Sequence, residues 1–194
     1  YQDVDDFSNI LISGSKIDLK IEENNEQEIK KNNFIDDFKT FTSSKIINVV
    51  IEIPKGNNEK WKVSKINGYL EPYFIMGQPN YSSLDYPFNY GIIPRTSMPI
   101  KLGGNGDPLD VILFGDKTSR GEILEARVVG AIKMNDTGEV STKIISLNKN
   151  HDILNDKELD IFLNIVKLFF ENDMDDNRIQ SIKFLDQDEA LNLI

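Results

Sequence analysis

Between Ile46 and Leu147 this chain offers β-type segments in close succession and nothing with a helical period. IINVVIEIP (46–54) is a β-branched run closed by a proline, the pattern of a buried strand. KWKVSKI alternates Trp61, Val63 and, less regularly, Ile66, and the Asn67-Gly68 turn behind it predicts a hairpin with YLEPYFI. LDVILFG (109–115), EILEARVVGAIKM (122–134) and EVSTKIISL (139–147) read as further strands, the last two joined by the turn residues NDTG. Only at Asn155 does the period change. Leu159, Phe162, Ile165, Val166 and Phe169 recur at helical spacing behind an N-cap at Asn155 or Asp156, with Glu158 in the first turn, and their apolar stripe reads as core packing. RIQSIKFL predicts a last strand and DEALNLI a short terminal helix. Many strands followed by late helices predict an α+β fold with a small antiparallel barrel at its centre.

The 194 residues are enough for one domain with its own core. Residues 1–45 are polar, with a strand-like alternation at Ile17, Leu19 and Ile21, and read as an N-terminal arm packed on a barrel domain that spans 46–194. With 32 acidic and 22 basic side chains the formal net charge is −10, which argues against nucleic acid as a partner. A small phosphorylated ligand stays compatible with that charge, because a bound cation inverts the local field. The absence of cysteine excludes disulfides, thiolate metal sites and cysteine nucleophiles. No apolar run approaches the roughly 20 residues of a membrane span, so no membrane insertion is expected.

The chemistry-bearing candidates gather around GNGDPLD (104–110), which sets Asp107 and Asp110 three residues apart just before a strand. Alone, such a turn is ordinary loop chemistry. Its company points further: Glu52 ends the strand before Pro54, Asp136 follows another, and Lys143 lies seven residues on in the next strand. Tyr86 and Tyr90 flank a PFN turn. Hard Mg²⁺ takes several oxygen ligands and keeps waters and substrate phosphates in its shell, so carboxylates on separate strand ends facing Lys and Tyr donors suit a metal–phosphate site. Asp173, Asp175 and Asn177 imitate the start of a calcium loop, but Arg178 and Phe184 stand where its glycine and closing glutamate belong. His151, the one histidine, has no partner in its polar loop and reads as surface.

In this order, IEIPKGNNEKWKV, DYPFNYGIIPRT, GGNGDPLDVILFGDK and VVGAIKMNDTGEVSTKIISLN resemble the soluble family I inorganic pyrophosphatases, over about residues 46–172 and closest to the eukaryotic branch. The resemblance implies a closed five-stranded barrel with flanking helices and a Mg²⁺-dependent hydrolysis of pyrophosphate to two phosphates. It implies metal ligands at Glu52, Asp107, Asp110 and Asp136, catalytic roles at Asp107, Asp110 and Tyr90, and phosphate-side or supporting groups at Lys60, Lys143 and Tyr86.

Six positions depart from the family pattern: Asn105, Lys62 and Ser141 stand where it has carboxylates, Gln78 where it has arginine, and Asp173-Met174 where it has a tyrosine–lysine pair. Asn and Ser offer neutral oxygens without the charge a Mg²⁺ cluster needs, and Lys62 replaces an anion by a cation. The expectation is a pyrophosphatase-fold protein with little or no hydrolysis, serving as a structural or interaction subunit beside other protein subunits, as a homodimer or with an active paralogue. Pyrophosphate or phosphate binds it weakly if at all, and Mg²⁺ only as residual binding. The alternative is an active Mg²⁺-dependent pyrophosphatase. Neighbouring acids such as Glu139, Asp85 and Asp116 could restore one lost charge but not the set. A first residue other than Met, with the eukaryotic resemblance, leads to an expectation of a processed mitochondrial protein, the cytosol being the alternative.

Overall fold

A computed structural model describes residues 32–102, 104–136, 139–173 and 179–194, and from Asn33 onward they form one compact unit. The strand-like alternation expected at 17–21, and most of the expected arm, lie outside the described residues. The compact unit begins ahead of Ile46: Phe34 is fully buried, and β1 (Phe41–Ser43) pairs antiparallel with β2 (Ile46–Ile53).

Five strands close the barrel. β2 pairs with β7 (Asn89–Ile92), β7 with β8 (Asp110–Phe114), β8 with β10 (Glu139–Asn148) and β10 with β9 (Ile123–Asp136). β9 then returns to β2. The expected closed barrel is therefore present, with one qualification: the β8–β10 pairing is parallel. β9 leaves β8, crosses the barrel and turns back through β10, so β10 meets β8 running the same way. β9 also carries β11 (Ile179–Leu185) on its outer part.

Period-two alternation supplies two apolar faces. Ile47, Val49, Ile51, Val111, Leu113, Val128 and Ile144, drawn from β2, β8, β9 and β10, meet in one cluster across the barrel, joined by Ala190 of α2 (Gln187–Leu191). Tyr90, Ile112, Phe114, Ile132 and Ile145 face the other way, against Val166, Phe169 and Phe170 of α1 (Asp156–Asp173). Phe162 stacks on Phe114 with ring centroids 4.2 Å apart. Helix α1 starts as expected, by a reciprocal capping box: the Glu158 N–H donates to Asn155 Oδ1 at 3.0 Å, and the Asn155 N–H donates to Glu158 Oε2 at 2.9 Å.

On one side of the barrel lie two small hairpins, β3 (Trp61–Val63) with β4 (Leu70–Pro72) and β5 (Phe74–Ile75) with β6 (Gln78–Pro79). The alternation read as far as Ile66 stops at Val63: Ile66 is 92% exposed, in the turn that Gly68 closes at φ +73°. The predicted strand YLEPYFI breaks at Tyr73 into β4 and β5.

Gly91 on β7 marks the tightest contact of the barrel wall, because a Cβ there would sit 1.8 Å from the Val50 carbonyl oxygen. G91A is expected to lose about 2–3 kcal/mol or more, since the obstacle is backbone that cannot rotate away. Chemical denaturation measures this, and a variant as stable as the parent would show that β2 and β7 are further apart.

Candidate functional site

The side chains that the sequence singles out converge on one cavity of about 340 Å³ beside the β3–β4 hairpin. Glu52, Lys60, Lys62, Tyr86, Tyr90, Asn105, Asp107, Asp110, Ser141, Lys143 and Asp173 all line it. Gln78 does not line it; it lies exposed on the β5–β6 hairpin. Met174 lies outside the described residues, as do the side chains of Asp136 and Glu139.

The parallel β8–β10 ladder pairs Asp110 with Lys143 in register. Lys143 Nζ donates to Asp110 Oδ2 and to the Tyr90 hydroxyl, both at 2.8 Å, and Lys143 is only 8% exposed. Burial, then the Asp110 charge, hold the Tyr90 phenol well above its usual range, and burial raises that of Tyr86 as well. Both hydroxyls are thus protonated donors at neutral pH.

Asp107 is held from the hairpin side. Lys62 Nζ reaches its Oδ2 at 2.6 Å and Lys65 Nζ its Oδ1 at 3.1 Å. Partial burial works against ionisation of Asp107, but its hydrogen bonds to Lys62 and Lys65 outweigh that and keep its carboxyl below the ordinary range. Lys62 loses some basicity to burial and regains more from Asp107, so its ammonium is held charged. Lys65 also donates to the Asn105 carbonyl at 2.9 Å. The Asn105 side chain turns back into its own loop, where Oδ1 accepts the Asp107 N–H at 3.0 Å. This position, where the family pattern has an acid, is spent on loop geometry.

Opposite, Asp173 ends α1 and latches onto the loop before Tyr86. Its carboxylate accepts from the Ser82 and Ser83 hydroxyls, each at 3.3 Å, and from the Leu84 N–H at 3.4 Å, and Lys60 Nζ stands 3.9 Å away. Glu52, 3% exposed, accepts the Val63 N–H at 2.6 Å. Burial first, then Asp110, push its carboxyl up to about 8, against the pull of the Val63 N–H, Lys62 and Lys143. Glu52 is therefore mostly neutral at pH 7. The ionised groups lining the cavity are then Lys60, Lys62 and Lys143 against Asp107, Asp110 and Asp173, and each carboxylate faces one of the lysines.

Three contributors escaped the sequence reading: Lys65, Tyr73, whose ring lies 5.5 Å from Lys62 Nζ, and Trp61, which stacks with Arg120 at 4.5 Å. Lys65 stands three residues from Lys62, and the only signal for it was that spacing across a turn.

The residues fit a divalent cation poorly. Both Asp107 oxygens and one of Asp110 are engaged by ammonium groups, and one oxygen of Glu52 accepts the Val63 N–H. Among the described residues, no three acidic or histidine side chains come together as metal ligands.

Barrel and cavity define a domain whose site is built from carboxylates, lysines and tyrosines at the barrel rim. The family model for inorganic pyrophosphatase matches residues 49–194, and the chain belongs to that family. An inorganic pyrophosphatase of Helicobacter pylori is 31% identical over 154 residues, covering 73% of this chain and 83% of its own length. A soluble inorganic pyrophosphatase of rice, Oryza sativa subsp. indica, is 39% identical over 103 residues, 53% of this chain but only 44% of its own. The chain thus spans about half the length of several relatives it matches. The inorganic pyrophosphatase structure from Schistosoma japonicum superposes with a TM-score of 0.73 at 22% identity, over 83% of this chain and 68% of that one. The type I inorganic pyrophosphatase of P. falciparum does so at 0.72 and 22%, over 81% and 59%. These likenesses show the shared fold.

Between about pH 5 and pH 8 the folded protein holds a proton on Glu52 that the unfolded chain has released, so this group's contribution to stability falls as pH rises through that window. Unfolding free energies measured in chelator are expected to decline from pH 5 to about pH 8, and E52Q, which keeps the oxygen that accepts the Val63 N–H, removes most of that slope. An unchanged slope in E52Q would assign the proton elsewhere.

Proposed function

We propose that this chain is a pyrophosphatase-family protein with little or no hydrolytic activity, serving as a structural or interaction subunit of a larger assembly. One observation carries the reading: the cavity's charges are paired with one another, Lys62 with Asp107, Lys143 with Asp110 and Lys60 with Asp173. Hydrolysis of a diphosphate needs the opposite arrangement. Its cations must be free to meet phosphate oxygens, and its carboxylates must be free to hold metal ions. The altered residues bear on both needs. Asn105 and Ser141 bring no anion to the cavity lining, and Asp173 brings an anion to the wall that would face phosphate. Each lost charge-assisted hydrogen bond is worth roughly 1.5–3 kcal/mol, so two of them remove about two to four powers of ten in rate.

The alternative, an active Mg²⁺-dependent pyrophosphatase, is favoured by the meeting of Glu52, Asp107, Asp110, Tyr90 and Lys143 on one cavity. Phosphate release separates the two. With Mg²⁺ and pyrophosphate, the purified protein is expected to release phosphate at least about two powers of ten more slowly than the H. pylori relative assayed beside it. Turnover at a comparable rate would overturn the proposal.

The interaction role is supported by the exposed apolar side chains of the segment from Ile66 to Leu84. Among the described residues it carries eight of the fourteen exposed large apolar side chains, including Tyr73, Phe74, Ile75 and Tyr81. Met76, at the tip of the β5–β6 hairpin, is wholly exposed and sits at φ +50°, a conformation that disfavours it. The two-residue turn between Ile75 and Gln78, with positive φ at both Met76 and Gly77, accounts for its backbone, but fold stability does not explain its exposure. In extracts of its own cells the chain is expected to elute well above 22.1 kDa, and F74D/M76D to release it while leaving stability within about 0.5 kcal/mol. Elution of the parent as a monomer would sink the assembly role.

A further inference from the structure

We infer that Lys62 and Lys65 are built-in cations that take the place of a divalent ion at Asp107, so that the 104–107 loop is closed by ammonium groups of this chain. The inference deepens the reading above by assigning the residues that deny the signature carboxylates to metal.

The geometry carries it. Asp107 has two oxygens and each meets a different lysine, at 2.6 and 3.1 Å. Lys65 also binds the carbonyl of Asn105, so one ammonium bridges a carboxylate and a backbone oxygen of the same loop. A hard cation organises a loop in the same way, by collecting anionic and carbonyl oxygens around a positive centre. The two lysines are three residues apart on β3 and the turn after it, and that turn is braced by hydrogen bonds from the Gly68 N–H to the Ser64 carbonyl and from the Ser64 N–H to the Tyr69 carbonyl. Their ammonium groups therefore stay near Asp107, at a high effective concentration that free Mg²⁺ must displace. Their side chains are 42% and 50% exposed, so burial alone does not fix them there. Their positions follow the carboxylate. An ion arriving at Asp107 would have to move both ammonium groups and then remain close to two positive charges.

Thermal unfolding and Mn²⁺ binding test this without reference to turnover. The wild-type protein is expected to melt at the same temperature in chelator and in millimolar Mg²⁺. K62Q/K65Q is expected to melt about 2–4 °C lower in chelator, to recover on adding Mn²⁺, and to bind Mn²⁺ by electron paramagnetic resonance where the parent does not. K62R/K65R, which keeps both charges, should behave as the parent. Three outcomes overturn the inference: a wild-type protein stabilised by Mg²⁺, a K62Q/K65Q variant as stable as the parent in chelator, or a destabilised variant that Mn²⁺ does not rescue, which would leave the lysines merely structural. Should K62Q/K65Q fail to fold, the single variant K62Q carries the same readings. Phosphate release from a protein indifferent to Mg²⁺ in these melts would defeat the functional reading while leaving this one intact.

Discussion

The parallel ladder between β8 and β10 decides what this cavity can be. It brings Asp110 alongside Lys143 in register, and a lysine only 8% exposed needs an anion and a hydrogen-bond acceptor beside it. Asp110 and Tyr90 supply both. The same ammonium lies 5.3 Å from the centre of the Tyr90 ring and 5.5 Å from that of Phe170, which belongs to α1. Barrel register, helix docking and the electrostatics of the rim therefore share one buried charge. Removing Asp110 would strand Lys143, and moving α1 would open the aromatic wall behind it.

Away from that buried charge, part of the core is independent of the cavity. The apolar cluster that includes Val49, Val111 and Ile144 stays clear of the cavity, whereas the other cluster reaches it through Ile53, Tyr90, Met134 and Phe170. The positions that depart from the family pattern lie elsewhere: on the loop before β8 at Asn105, on β3 at Lys62, on β10 at Ser141 and at the end of α1 at Asp173. Charge can change there without a cavity opening in the core, because these side chains contribute little buried apolar area.

Local signals made much of this legible beforehand. The β-branched run at 46–53 and the cap at Asn155 both act over a few residues, and both appear where expected. The gathering of Asp107, Asp110, Tyr90 and Lys143 came from motif resemblance, since no local pattern brings residues more than fifty positions apart into contact. The parallel sense of β8 and β10 was hidden, because strand direction depends on how a long excursion through β9 returns. Gln78 illustrates another limit. Its spacing from Tyr90 matched a phosphate-binding position, but Gly77, at φ +76°, helps turn the chain into a hairpin that carries the side chain to the surface. Lys65 went unread because a turn, and not strand alternation, aims it back at Asp107.

Asp173 shows most plainly that the rim's charges form a system. The last turn of α1 has no basic residue and ends in an aspartate, where the helix dipole already places negative charge. Such a residue costs stability unless something outside the helix repays it. Here the Ser82 and Ser83 hydroxyls, the Leu84 N–H and Lys60 all converge on that carboxylate. The contact fastens the end of α1 to the loop that leads into Tyr86, and it draws on a lysine that the family pattern turns toward phosphate. An anion entering this cavity would compete with Asp173 for Lys60 and would loosen the helix end as it did so. Ligand binding and helix docking are thereby set against each other.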